Sequence, residues 1–232
     1  PYTPLFRSKG VRAEKLWLKP IDPPRAQEVK APSHSTEIVP FVLNPTIGVY
    51  DDLQNQRHIP LTVPFTTGGN ALLYGASGTG ALEFINTMLV ELMSHHSPEE
   101  LSLYLLDYDA GTLSAFENAP HTQSFASGAM QGSGEKVIAA LSQQLKERKD
   151  ALREYGGDYQ NYIKSSGKTI PNILLVIHNY QNFQESFGDA RTRVAALARE
   201  GTQYGLYVLL SGTTGNSIPY TIQPLFHNIY TL

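Results

Sequence analysis

Leu72-Leu73-Tyr74-Gly75-Ala76-Ser77-Gly78-Thr79-Gly80-Ala81-Leu82 sets a short apolar run against a glycine-rich turn, and an amphipathic run follows at once. The spacing Gly75-x4-Gly80, between a strand pattern and a helix pattern, is the frame of a phosphate-binding loop. Such a loop needs glycines so that backbone N–H groups can turn inward around phosphates. It also needs a Lys to meet the β/γ-phosphate charge and a Ser or Thr hydroxyl for Mg²⁺. Ala81 stands where the Lys belongs and Leu82 where the Ser/Thr belongs. The frame is present without its two reactive side chains, so any nucleotide contact made by Gly75, Ala76, Ser77, Gly78, Thr79, Gly80, Ala81 and Leu82 falls to backbone N–H groups and the helix N-terminus. Taken alone, a glycine loop is also compatible with a tight strand-to-helix turn.

Outward from the loop, Leu82, Ile85, Met88, Leu89 and Leu92 recur at three- and four-residue spacing, predicting a helix from near Gly80 to His95-His96. Residues 59–65 and 70–74 read as strands, and residues 101–106 as a buried strand ending in Asp107. After a stretch read as irregular, Val137, Ile138, Leu141, Leu145 and Leu152 predict a long amphipathic helix stopped by Gly156-Gly157. Its basic residues Lys146, Arg148, Lys149 and Arg153 read as a solvated face near the helix C-terminus. Residues 173–177 predict a central strand buried on both faces, Asp189 a cap for a helix containing Val194 and Leu197, and residues 205–210 and 226–232 two further strands. Strands alternating with helices predict an α/β fold, a mostly parallel sheet with helices on both faces. Ligands of such sheets bind beyond the carboxyl ends of the strands, which places the loop, Asp107, His178 and residues 211–214 along one rim.

The strand at 173–177 is where P-loop ATPases end in an Asp for Mg²⁺, followed by a Glu that polarises the attacking water. Here His178 and Asn179 follow it. A neutral His brings no negative charge to Mg²⁺, and Asn179 accepts no proton as a base. Two separate positions have lost charge in the same sense, so hydrolysis is expected to be absent or very slow and no catalytic residue is assigned. Thr213 and Thr214 occupy the place of a polar γ-phosphate sensor, or form an ordinary turn with Gly212 and Gly215. A dinucleotide fingerprint begun at Gly78 would put Glu83 at its third glycine, where an anion repels pyrophosphate. His95, His96 and His178 have no carboxylate or His at a matching helical spacing, so no metal site is expected.

Composition narrows the field. The 232 residues carry a formal net charge of −3, with no run of Lys or Arg, which supplies no footprint for nucleic acid or an anionic membrane. There is no cysteine, hence neither a disulfide framework nor a thiolate metal site. No window approaches ~18 consecutive apolar residues, so no membrane-spanning helix is expected. Residues 1–46, with Pro20, Pro23, Pro24, Pro32, Pro40 and Pro45, read as an inter-module linker or β lead-in that suits edge strands better than helices, with candidate strands at 12–18 and 38–43 and a further one at 47–50. Residues 47–232 form the expected domain. The first residue, Pro1, and the strand-like ending Ile229-Tyr230-Thr231-Leu232 give the expectation of a piece of a longer protein.

Further stretches sharpen the reading. Ile47-Gly48-Val49-Tyr50-Asp51-Asp52 with Gln54, Gln56 and Pro60-Leu61, then Leu101-Ser102-Leu103-Tyr104-Leu105-Leu106-Asp107 with Leu113 and Ala119-Pro120-His121, resemble the FtsK/SpoIIIE-type ATPases. The helix carrying Glu147-Arg148 and the approach Glu200-Gly201-Thr202-Gln203-Tyr204-Gly205-Leu206 are similar to that family too. Within it, the chain resembles the tandem modules of the EssC/EccC coupling proteins of type VII secretion, and the degenerate third module above all. The resemblance implies a RecA-like P-loop NTPase fold with a small β-rich lead-in, in the cytoplasmic segment of a bacterial cell-membrane protein. It implies secreted WXG100-class proteins and neighbouring modules as partners, an oligomeric parent, no nucleic acid and no direct membrane contact for this segment. No cofactor is expected, with ATP/Mg²⁺ as the weak alternative. Two other readings stay open: a DNA-pumping translocase module, and a module that binds ATP structurally without turning it over.

Overall fold

The computed structural model describes residues 42–232. The strand reading at 12–18 and most of that at 38–43 lie outside the described residues, and Val42 and Leu43 belong to no strand. The described chain opens with an antiparallel hairpin, β1 (Thr46–Asp52) and β2 (Arg57–Thr62), which forms a two-stranded sheet of its own. The strand expected at 59–65 is therefore shorter at its end, because the chain turns at Pro64 into the single turn α1 (Phe65–Gly68). Then come β3 (Ala71–Tyr74), α2 (Ala81–His95), β4 (Leu101–Asp107), β5 (Thr122–Ser127), α3 (Ser133–Leu152), α4 (Tyr159–Ser166), β6 (Asn172–His178), α5 (Tyr180–Ser186), α6 (Ala190–Glu200), β7 (Leu206–Gly212) and β8 (Asn228–Thr231).

The six strands from β3 onward form one sheet in the order β5-β4-β6-β7-β3-β8, and every neighbouring pair is parallel. Alternation of side chains along a strand divides the interior into two cores. Leu72, Tyr104, Leu106, Leu175, Ile177, Val208 and Leu210 point to the layer holding α3, α5 and α6. Leu73, Leu103, Leu105, Leu174, Val176 and Leu209 point to the layer holding α2. β4, β6 and β7 are buried throughout, which is why they read as apolar runs and not as alternating strands.

Further differences from expectation concern β5, α6 and α3. The stretch taken as irregular contains β5, an edge strand whose sequence Thr-Gln-Ser-Phe-Ala-Ser carries only one buried residue and so little apolar signal. Asp189 precedes α6 but makes no side-chain cap; its carboxylate accepts from Arg193 Nε at 3.0 Å. On α3 and just after it, Lys149 pairs with Glu200 and Arg153 with Asp150, as a solvated face should, whereas Arg148 is drawn inward to backbone carbonyls. Among the described residues, no helix is long and apolar enough to cross a membrane.

Candidate functional site

Gly75 to Gly80 turn between the end of β3 and the start of α2, and the glycines are there for steric reasons. Gly78 and Gly80 adopt φ of +81° and +103°, values that side chains with a Cβ avoid. At Gly75 an added Cβ would stand 2.8 Å from Thr79 Oγ1 and 3.0 Å from the Ala81 Cβ. The loop is braced from within, since Ala76 O accepts both the Thr79 N–H at 3.1 Å and the Thr79 hydroxyl at 2.8 Å. Gly75 N–H in turn donates to Gly212 O at 3.0 Å, fastening the loop to the end of β7.

Opposite the loop, the ends of β6 and β7 form a polar knot. The buried pair His178 Nδ1 and Ser211 Oγ lie 2.7 Å apart, and the Asn179 backbone N–H donates to the same hydroxyl at 3.0 Å. His178 Nδ1 and Ser211 Oγ share a hydrogen bond whose direction depends on the ring tautomer, and His178 Nε2 faces Asp109 Oδ2 at 3.6 Å. Asn179 sits at φ +61° and caps α5 with its own side chain, accepting the Asn182 N–H at 3.3 Å.

A cavity of about 260 Å³ lies between loop and knot. Gly75, Ala76, Ser77, Gly78, Ala81 and Leu82 line it from the loop side, and His178, Asn179, Ser211 and Thr213 from the other. Thr79 and Gly80 complete the turn without lining it. Thr214 also stands outside; its N–H and hydroxyl are engaged with Ser217 Oγ at 3.0 and 3.2 Å. Asp107 does not present its carboxylate to the rim. It is fully buried, and its two oxygens accept the N–H groups of Asp109 and Leu113 at 3.0 and 2.8 Å. Asp109 takes its place in the cavity wall, together with Glu83 and Thr112. Neither Glu83 as a site residue nor Asp109 was visible as such in the sequence; the cue for Asp109 is its position two residues beyond a strand end.

Among the described residues the lining therefore contains two carboxylates, one histidine and no Lys or Arg. Among the described residues no group of three or more metal-ligating side chains is assembled.

With strand–loop–helix, buried central strands and rim all in place, comparison with known proteins is decisive. The FtsK/SpoIIIE family profile matches residues 46–213. The chain belongs to the FtsK/SpoIIIE family. One relative, the type VII secretion system protein EssC of Staphylococcus aureus strain MRSA252, is 28% identical over 80% of this chain and 13% of its own length. Another, the ESX-4 secretion system protein EccC4 of Mycobacterium tuberculosis, is 27% identical over 87% of this chain and 17% of its own. The chain thus spans less than a fifth of these relatives. Among solved structures, the FtsK/SpoIIIE chain resembles the cytoplasmic domain of the Thermomonospora curvata type VII secretion ATPase EccC, with a TM-score of 0.78 at 23% identity, over 93% of this chain and 27% of that one. ATPases 2 and 3 of the same EccC, solved in complex with a signal sequence peptide, give a TM-score of 0.75 at 24% identity over 82% and 36%. These likenesses are to the fold, a P-loop ATPase sheet with helices on both faces.

Proposed function

We propose that this FtsK/SpoIIIE module is a degenerate ATPase unit of a type VII secretion coupling protein, serving export by docking secreted proteins or neighbouring modules while ATP turnover resides elsewhere in the parent chain. The observation that carries the proposal is the charge of the loop cavity: among the described residues Glu83 and Asp109 line it, and no Lys or Arg does. A Mg²⁺–nucleoside triphosphate needs cationic compensation for its γ-phosphate and a hydroxyl and carboxylate for the metal. Ala81 and Leu82 supply neither, and His178 is turned to Ser211. The cavity is also smaller than the ~300–1,000 Å³ typical of ligand pockets. These residues do not fit Mg²⁺–ATP, so no hydrolytic step is assigned to them.

The secretion context rests on the relatives, which are EssC and EccC proteins of type VII and ESX systems. By that likeness the parent is an oligomeric bacterial cell-membrane protein, this module lies on its cytoplasmic side, and the exported partners are small helical-hairpin proteins of the WXG100 class. A signal sequence peptide bound to a relative's tandem modules supports a docking role. The net charge of −3 weighs against the DNA-translocase alternative.

Isothermal titration calorimetry with ATP and Mg²⁺ tests the central claim. No heat at millimolar nucleotide supports a docking module. Saturable micromolar binding would overturn the empty-site reading and favour a structural, ATP-gated one, which the retained glycine cradle allows.

A further inference from the structure

At the other end of the sheet, beneath the first residues of β4 and β6, lies a second cavity of about 380 Å³. Arg148 on α3 lines it, and its guanidinium is largely buried. None of the ion pairs among the described residues includes Arg148. Among the described residues its hydrogen-bond partners are backbone carbonyls. Nη1 donates to Tyr204 O at 2.9 Å and more weakly to Gly205 O at 3.5 Å, and Nη2 donates to Pro171 O. Nε–H has no acceptor among the described residues, and Nε–H beside an Nη2–H is the fork that grips an oxyanion through two parallel bonds.

A second feature of the same cavity is independent of Arg148. Ser102, only 8% exposed, contributes to the lining and makes no side-chain hydrogen bond among the described residues. A hydroxyl and a guanidinium edge that face one solvent-reached cavity, neither with a partner among the described residues, offer adjacent donors to an acceptor that enters it. The amides of Gln123 and Gln144 lie in the same wall, Gln144 Nε2 donating to Tyr104 Oη at 2.9 Å.

We propose that this cavity is a carboxylate-binding site, in which the Arg148 fork and the Ser102 hydroxyl hold one carboxylate. A singly charged group suits it better than a phosphate, because Glu147 also stands in the wall and a dianion would face it with only one cation in compensation. Ala151 and Ile173 supply apolar contact for the carbon skeleton that carries the carboxylate. The site is at the opposite ends of the strands from the glycine loop and does not depend on what happens there.

The test is an NMR titration of the whole chain with sodium propionate at constant ionic strength, with propionamide as the uncharged control. An acetylated, amidated Ala-Glu-Ala peptide and its Gln counterpart are run in parallel. The expected result is saturable movement of the Arg148 Nε–H resonance and of the Gln123 and Gln144 signals, produced by the carboxylates and not by the amides. Ser102→Ala should weaken binding roughly tenfold, the loss of one hydrogen bond to a charged group. Arg148→Lys keeps the charge without the fork and should weaken it further; should that variant not fold, the wild-type Arg148 resonance and Ser102→Ala carry the test. Tighter binding of the Glu peptide than of propionate supports a peptide-borne carboxylate, and equal binding a free one. Absence of saturation with either carboxylate, propionamide matching propionate, or affinity unchanged in both variants would each overturn the proposal.

Discussion

Replacing Asn70 with alanine should cost more stability than any loss of side-chain bulk explains. Asn70 precedes β3 and is 1% exposed. Its Nδ2 donates to Ala198 O at 2.7 Å and Leu225 O at 3.1 Å, and its Oδ1 accepts the Val208 N–H at 2.9 Å. The side chain continues the β3–β7 ladder one step beyond its first register pair, Ala71 with Leu209, and ties the end of α6 and the turn before β8 to the same point. Alanine removes three hydrogen bonds of about 1 kcal/mol net each, and leaves buried partners whose desolvation costs ~1–3 kcal/mol apiece when unmet. The expected loss is about 3–5 kcal/mol, a large share of the ~5–15 kcal/mol that holds a domain together. At ~2–4 °C per kcal/mol for a domain of this size, Tm should fall by about 6–20 °C. Asn70→Asp keeps the acceptor for Val208 but brings a carboxylate against two carbonyl oxygens, and at pH 7 should cost at least as much as alanine. Urea unfolding followed by circular dichroism measures both variants. A loss below about 1 kcal/mol for Asn70→Ala, at unchanged m-value, would refute the reasoning.

Ala81→Lys alone should yield no measurable ATPase in a phosphate-release assay, because Leu82 still offers no hydroxyl and His178 no carboxylate; turnover by the single variant would contradict the degenerate-site reading. Asn179→Gly should cost only a few tenths of a kcal/mol by thermal unfolding, whereas Asn179→Ala should cost about 1–2 kcal/mol, since alanine loses the α5 cap and strains φ +61°. Tyr180 is fully buried, its hydroxyl has no partner among the described residues, and burial pushes its phenol up to about 12. A raised folded-state value means that its contribution is intact below the ordinary phenol range near 10 and is lost as pH rises from there towards 12, where the unfolded chain sheds its proton first. Tyr180→Phe should therefore match or exceed wild-type stability at pH 7 and show a shallower decline of Tm above pH 10; a large loss at pH 7 would mean that the hydroxyl has a partner after all.

The central strands were legible because β4, β6 and β7 are buried on both faces, and only continuous apolar runs suit that position. β5 lacks that burial and was hard to see. It lies at the sheet edge with one fully buried residue, and its strand state comes from pairing with β4, a contact made between distant segments. The short helices α4 and α5 were missed because eight and seven residues hold too few turns to display a helical period.

Local sequence thus determined the glycine loop, the helix after it, and the presence of Ala81 and Leu82 behind the last glycine and of His178 and Asn179 at the end of β6, since each depends on residue type at a fixed spacing. Only the tertiary structure decided which groups meet. Asp107 and Asp109 are two residues apart and chemically alike, yet the first is consumed by backbone N–H groups and the second faces the cavity. Arg148 stands among basic residues that are solvated, yet its place on α3 turns it toward carbonyls from the starts of β6 and β7. Periodicity records which face of a helix is apolar; it carries no information about which carbonyls or hydroxyls, brought from far along the chain, lie within 3 Å of a side chain.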